Sequence, residues 1–88
     1  MNDIDKHIKG VAQFVSIIYE SIEKYNEFKP ETEEEELLLG VIIARYENIR
    51  MKILSGMCDS SRNFKQLFEL FTDIQVYERH LESLNAPE

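Results

Sequence analysis

The sequence predicts an all-α fold, an antiparallel up-down-up bundle of three long helices. Three stretches of the chain carry apolar residues at alternating spacings of three and four, which line one face of a helix. Only 3 glycines and 2 prolines occur among 88 residues, so we expect few turns and long elements. Short connections between such helices favour antiparallel neighbours. A chain of this length suits a single domain, residues 1–88.

The first helix is expected over residues 3–28. Asn2 or Asp3 can cap its start, and Pro30 ends it because a proline ring disfavours the helical conformation of the residue before it. The predicted seam has a heptad pattern and consists of Ile4, Ile8, Val11, Val15, Ile18, Ile22 and Tyr25. Three apolar residues lie outside this strict seam, namely Phe14, Ile17 and Tyr19.

The second helix is expected over residues 33–55. Thr32 and Glu35 have the capping-box spacing, in which the hydroxyl and the carboxylate each satisfy a backbone N–H. The glutamates at 33–36 suit the positive end of the helix dipole. Gly56 has the character of a C-terminal cap residue, because glycine readily adopts positive φ. The predicted seam is Leu39, Ile42, Tyr46, Ile49 and Ile53.

The segment Leu37–Ala44 of this helix is apolar nearly all round, so it has to be covered on several sides. Gly40 within it costs roughly 1 kcal/mol relative to alanine and permits a close approach by a neighbouring helix. The apolar residues of the chain exceed what three seams need. Either the excess forms an outer interface, which leaves homo-oligomerisation open, or the helices bend and bury it.

The third helix is expected over residues 61–84, capped by Asp59, Ser60 or Ser61. A short extra turn fits between the second and third helices, near residues 57–61. The predicted seam is Leu67, Leu70, Ile74, Tyr77, Leu81 and Leu84. The aromatic residues Phe64, Phe68 and Phe71 widen this face in its N-terminal half.

The net charge of −7 is unevenly distributed along the chain. Nine acidic and three basic residues between Glu20 and Glu47 carry six of the seven excess negative charges. Such a surface repels phosphate, so nucleic acid and anionic membranes are poor partners. A protein partner with a basic surface fits this charge pattern best.

A single cysteine excludes an internal disulfide and favours a cytoplasmic location. No apolar run approaches the ~20 residues of a membrane span. The pattern of a cleaved secretory signal is also missing, because polar residues interrupt the apolar stretch that follows Lys6 and Lys9. We therefore expect neither a membrane anchor nor secretion.

The residue pattern predicts no enzyme, no metal site and no cofactor. No Glu-x-x-His pair includes His7 or His80, so the di-iron constellation of helical bundles is missing and surface histidines are the simpler interpretation. Cys58 lies near a helix start, which can activate a thiol, but no histidine is near it in sequence. A partly buried structural thiol is the interpretation we favour.

Two groups of residues are candidates for binding a protein partner. The acidic group can dock on a basic surface, although a solvated helix start also explains it. The aromatic group can anchor a partner helix, although a place in the core also explains it. The two groups comprise Glu27, Glu31, Glu33, Glu34, Glu35 and Glu36, and Phe64, Phe68 and Phe71.

The pattern favours a small acidic protein-binding module that neutralises or regulates a macromolecular partner with a basic surface. Immunity proteins, antitoxins and phage-encoded inhibitors are of this type, an analogy of kind and not of sequence. The alternative is a self-assembling structural or chaperone-like helical protein that binds itself or a client helix. A salt-sensitive heteromeric complex distinguishes the first from the second.

Overall fold

A computed structural model describes residues 3–85 of the chain, and side chains from residue 6 to residue 84. Its helices are α1 (Asp3–Glu27), α2 (Glu33–Leu54) and α3 (Ser61–Asn85), each within one residue of the expected bounds. α2 packs against both α1 and α3 in a bundle of 48 × 26 × 19 Å. The predicted three-helix fold is confirmed. The predicted cap Asn2 and the side chain of Ile4 lie outside the described residues.

The start of α2 is fixed by a side-chain cap. Thr32 has an extended backbone, with φ −128° and ψ 161°, and its hydroxyl oxygen accepts a hydrogen bond from the Glu35 N–H at 3.1 Å. The reciprocal half of the predicted capping box differs in detail. The Glu35 carboxylate accepts a hydrogen bond from the Thr32 hydroxyl at 3.2 Å.

The end of α2 and the start of α3 are also fixed by local hydrogen bonds. Gly56 has φ +92°, and its N–H donates to the Ile53 carbonyl at 3.1 Å. The Met57 N–H donates to the Lys52 carbonyl at 3.0 Å, which completes a Schellman motif. A single turn from Gly56 to Asp59 follows, and Ser60 caps α3 by accepting the Asn63 N–H on its hydroxyl at 3.2 Å.

One hydrophobic core runs along the inner faces of the three helices. Within the described side chains, α2 contributes four residues of its predicted seam, and only Ile53 is left half-buried. The buried apolar residues are Phe14, Ile18, Ile22 and Tyr25 of α1, Leu39, Ile42, Tyr46 and Ile49 of α2, and Leu67, Ile74 and Leu81 of α3.

The predicted seam of α1 is wrong in its N-terminal half. Ile8 is 59% exposed, whereas Phe14, placed outside the seam, is only 3% exposed. The buried stripe passes through His7, Val11, Phe14 and Ile18, with a mean spacing close to the 3.6 residues of a straight helix. A strict heptad drifts away from such a stripe by about 20° per repeat, so the error grows toward the N-terminus.

Several other apolar side chains lie on outer faces of the bundle. Ile17 and Tyr19 of α1 and Val76 of α3 are exposed, as are residues of α2. Among residues 3–85, no helix combines the length and the apolar character that crossing a membrane requires.

We predict that Phe14→Ala lowers the free energy of unfolding by about 3–5 kcal/mol, because it empties a ring-sized space in the core. Ile8→Ala is the matched variant, and it should cost less than about 1 kcal/mol because its side chain is mostly in water. Urea denaturation followed by circular dichroism measures both. Equal losses of free energy for the two variants would mean that Ile8 is as buried as Phe14. That result would support the heptad seam and contradict the packing of α1.

Candidate protein-binding site

The α1–α2 connection gathers exposed carboxylates at one end of the bundle. They come from the last residue of α1, from the connection and from the first turn of α2. We call this group the acidic end, and it consists of Glu27, Glu31, Glu33, Glu34 and Glu36. The Thr32 cap fixes the first turn of α2, which carries three of these carboxylates.

These carboxylates are largely uncompensated. Within the described part of the chain, none of the five forms a salt bridge with a lysine or arginine. Glu34 lies 3.3 Å from the His80 Nε2 atom, but both side chains are exposed and the pair is ionic only when the histidine is protonated. The acidic end therefore presents a concentrated negative potential to solvent.

Glu35 is separate from the acidic end, although it lies within the same run of glutamates. It is 4% exposed, and its Oε1 atom accepts the hydrogen bond from the Thr32 hydroxyl. Its Oε2 atom is buried and has no hydrogen-bond partner among the described residues. The structure therefore places this predicted partner-binding residue in the helix cap, turned away from any partner at the surface.

Two buried tyrosines and a carboxylate of α3 tie the three helices together near this end. The Tyr25 hydroxyl of α1 and the Tyr46 hydroxyl of α2 donate to the two oxygens of Glu78, at 2.5 and 2.6 Å. The two phenol rings are stacked with their centroids 6.0 Å apart. We call these three residues the tyrosine clamp.

The surroundings of the tyrosine clamp keep both phenols protonated. Burial raises the pKa of Tyr25 and of Tyr46 far above the ordinary value of 10.0, and the hydrogen bonds to Glu78 raise it further. A hydrogen bond with Ser21 opposes part of this increase in the pKa of Tyr46. A protonated phenol can donate a hydrogen bond to a carboxylate, so the raised pKa values agree with the hydrogen bonds of the tyrosine clamp.

Glu78 and Glu82 extend the acidic character onto α3, and the sequence interpretation did not include them. Glu82 lines a small depression together with Lys24, Tyr25 and Phe28. Two signals were available in the sequence. An up-down-up topology brings the end of α3 beside the α1–α2 connection, and a buried tyrosine hydroxyl needs a partner.

The aromatic group does not join the acidic end. Phe64 and Phe71 are half-buried and meet the ring of Phe14 edge-on, with centroid distances of 5.3 and 5.7 Å. Phe68 is 51% exposed, which makes it the one ring of the three that is open to a partner. Because Phe64 lies in the first turn of α3, the group belongs to the other end of the bundle.

That other end also brings His7 next to Cys58, which the sequence did not indicate. The His7 Nε2 atom lies 3.0 Å from the Cys58 carbonyl oxygen, and the imidazole meets the Phe64 ring edge-on. His7 is therefore half-buried, and its interpretation as a surface residue is wrong. Burial, with a smaller contribution from Asp59, raises the pKa of the Cys58 thiol, which disfavours a reactive thiolate.

Among the described residues, no group of three or more His, Cys, Asp or Glu side chains is arranged to hold a metal ion. Comparisons of the chain with protein-family models, with curated proteins and with solved structures found no match. The acidic end and the exposed apolar faces are the features of the surface that suit binding.

We predict that Glu78→Gln lowers the free energy of unfolding by about 1–3 kcal/mol, because it replaces one of the two accepting oxygens with a donor NH2 group and removes the charge. Glu82→Gln removes a charge from an exposed neighbour and should change stability by less than about 0.5 kcal/mol. Urea denaturation of the two variants provides the comparison. If Glu82→Gln costs as much as Glu78→Gln, the clamp contributes nothing specific.

The tyrosine clamp also predicts a loss of stability at alkaline pH. The folded pKa values of Tyr25 and Tyr46 lie above the unfolded value of 10.0. Their contribution to stability is therefore fully present below pH 10 and is lost as the pH rises through the folded values. Denaturant unfolding as a function of pH, with tyrosinate absorbance as the second signal, tests this. A Tyr25→Phe/Tyr46→Phe variant should lose stability less steeply above pH 10, and an unchanged slope would contradict the assignment.

Proposed function

We propose that this chain is a small acidic protein-binding module, which neutralises or regulates a macromolecular partner by docking its acidic end on a basic surface of that partner. One observation carries the proposal. Five exposed carboxylates lie together at one end of the bundle with no lysine or arginine salt bridge among the described residues. A partner with clustered lysine or arginine side chains supplies the missing countercharges.

The physical basis is long-range attraction onto a rigid platform. A concentrated field of one sign raises the rate of encounter with an oppositely charged surface, and added salt weakens it. The Thr32 cap fixes the first turn of α2, and the tyrosine clamp joins the three helices near the acidic end. Little conformational freedom of the backbone is then lost on binding, which favours affinity.

The chemistry of the surface also supports a class of partner. A nuclease or another nucleic-acid-binding protein carries a basic surface that has evolved to hold phosphate, and a row of carboxylates can occupy that surface in its place. The module would act as an inhibitor of the immunity-protein, antitoxin or phage-inhibitor type. A single cysteine supports action in a reducing compartment such as the cytoplasm.

We predict that the triple variant Glu27→Lys/Glu31→Lys/Glu34→Lys loses its partner while remaining folded. The matched control is Glu20→Lys/Glu69→Lys/Asp73→Lys, which reverses three exposed charges elsewhere and reaches the same net charge. Affinity capture from lysate of the native host, washed at low and at high salt and read by mass spectrometry, compares both with wild type. We expect one stoichiometric basic protein with wild type and control, and none with the triple variant.

The salt dependence provides the second half of this experiment. The affinity of the recovered partner should fall steeply with ionic strength, because the Debye length shrinks from about 10 Å at 0.1 M to about 3 Å at 1 M salt. Circular dichroism must show the same helix content for all three proteins. A partner that survives the triple reversal, or that binds equally well at ~1 M salt, would sink the proposal.

A further inference from the structure

The outer face of α2, opposite its buried face, carries an apolar stripe that the described parts of α1 and α3 do not cover. Leu37 and Met51 are each 66% exposed, and Val41 and Ala44 between them are exposed as well. A shallow open depression of about 590 Å³ runs along its first half, lined by Glu33, Glu36, Leu37, Gly40, Val41 and Ala44.

Gly40 lies on this stripe and has no packing role within the described part of the monomer. A Cβ atom added to it would meet none of the described atoms within 4 Å, so no contact among them requires a glycine at a position where glycine weakens the helix. Ala44 follows one turn later. Two small residues one turn apart leave a strip along which the backbone of another helix can approach closely.

We propose that this stripe pairs antiparallel with the same stripe of a second copy of the chain. Ala44 lies midway between Leu37 and Met51, so a two-fold axis beside Ala44 sets Leu37 of one copy against Met51 of the second copy. The same register sets Gly40 against Asn48 of the second copy. Asn48 is the polar residue within the stripe, and in this register it lies opposite the residue that has no side chain.

The charges along α2 are complementary to a second copy that runs in the opposite direction. The first turn of α2 carries four glutamates, residues 33–36, whereas its C-terminal half carries Arg45, Arg50 and Lys52 against one acid, Glu47, which forms a salt bridge with Arg50. Reversing one copy therefore places an acidic segment beside a basic segment at both ends of the pair. A parallel copy places like charges together at both ends instead.

Contacts inside the monomer show which charges flank the stripe on the same edge. Glu34 contacts His80 of α3, and Arg45 donates to the Tyr77 hydroxyl of α3 at 3.4 Å. Lys52 follows Arg45 by two helical turns, so it lies on the edge that faces α3, as Glu34 does. A two-fold antiparallel pair brings these edges together, with Glu34 of each copy near Lys52 of the other.

The uneven charge of the whole chain favours the same direction. Most of the excess negative charge lies between Glu20 and Glu47, around the acidic end. An antiparallel pair separates the two acidic ends by roughly the length of α2, about 33 Å, several times the Debye length of about 8 Å in physiological salt. The inference does not rest on the proposed function, although the glutamates of the first turn of α2 belong both to the acidic end and to the border of this stripe.

Sedimentation equilibrium over protein concentrations from micromolar to millimolar tests the pairing. We expect wild type to shift from monomer to dimer, and Ala44→Glu to weaken the dimer by more than about tenfold, because it places two like charges at the centre of the contact. Ala12→Glu is the matched control, an exposed alanine of α1, and should leave the dimer unchanged. Wild type that stays monomeric, or a control that weakens the dimer equally, overturns the proposal.

A charge exchange tests the direction of the pairing and does not depend on the Ala44→Glu variant remaining folded. At low salt, Glu34→Lys and Lys52→Glu should each weaken the dimer by about fivefold, and the two combined should restore it. In a parallel pair Glu34 and Lys52 of the two copies lie about 27 Å apart along the helices, so there is no attraction between them for either single change to reverse. Single variants without effect, or a combination that fails to restore the dimer, overturn the antiparallel arrangement.

Discussion

The whole structure depends on α2, the middle helix, burying one face against two neighbours at once. Its core residues Leu39, Ile42, Tyr46 and Ile49 lie on that face, and α1 and α3 pack on either side of it. A helix used in this way still keeps an opposite face, and in this chain that face is apolar too. The exposed stripe is a consequence of placing so apolar a helix between two neighbours that cover only one of its faces.

Repulsion among the carboxylates of the acidic end destabilises that end of the bundle, and nearby contacts offset it. Carboxylates of like sign repel one another, and a bundle end that carries five of them needs support from uncharged contacts. The tyrosine clamp supplies this support, because neutral phenols from α1 and α2 bind a carboxylate of α3. The carboxylate of Glu78 therefore holds the three helices together. The acidic residues of this chain stabilise the fold as well as giving the surface its charge.

The sequence predicted the helices well, and it predicted side-chain placement only where the signal is local. The bounds of the helices, the Thr32 cap and the positive φ of Gly56 depend on neighbouring residues, and these predictions were confirmed. The burial of Phe14 and the exposure of Ile8 depend on how straight α1 is, which no local pattern records. The contacts of Glu78 with Tyr25 and of His7 with Cys58 join residues more than 50 positions apart, so they required the packed topology. The burial of Glu35 could not be predicted either, because nothing in the run of glutamates distinguishes the one that faces inward.

The elongated shape of the bundle limits what the acidic end can do when it meets a surface head-on. The end of the bundle measures 26 × 19 Å in cross-section, so it offers a narrow contact face, whereas each partner in a standard stable interface buries ~800 Å² of accessible surface. A complex held only by this contact face would form quickly and dissociate quickly. Long residence requires a concave partner that also grips the sides of the helices, so shape selects among basic proteins that charge alone would treat alike.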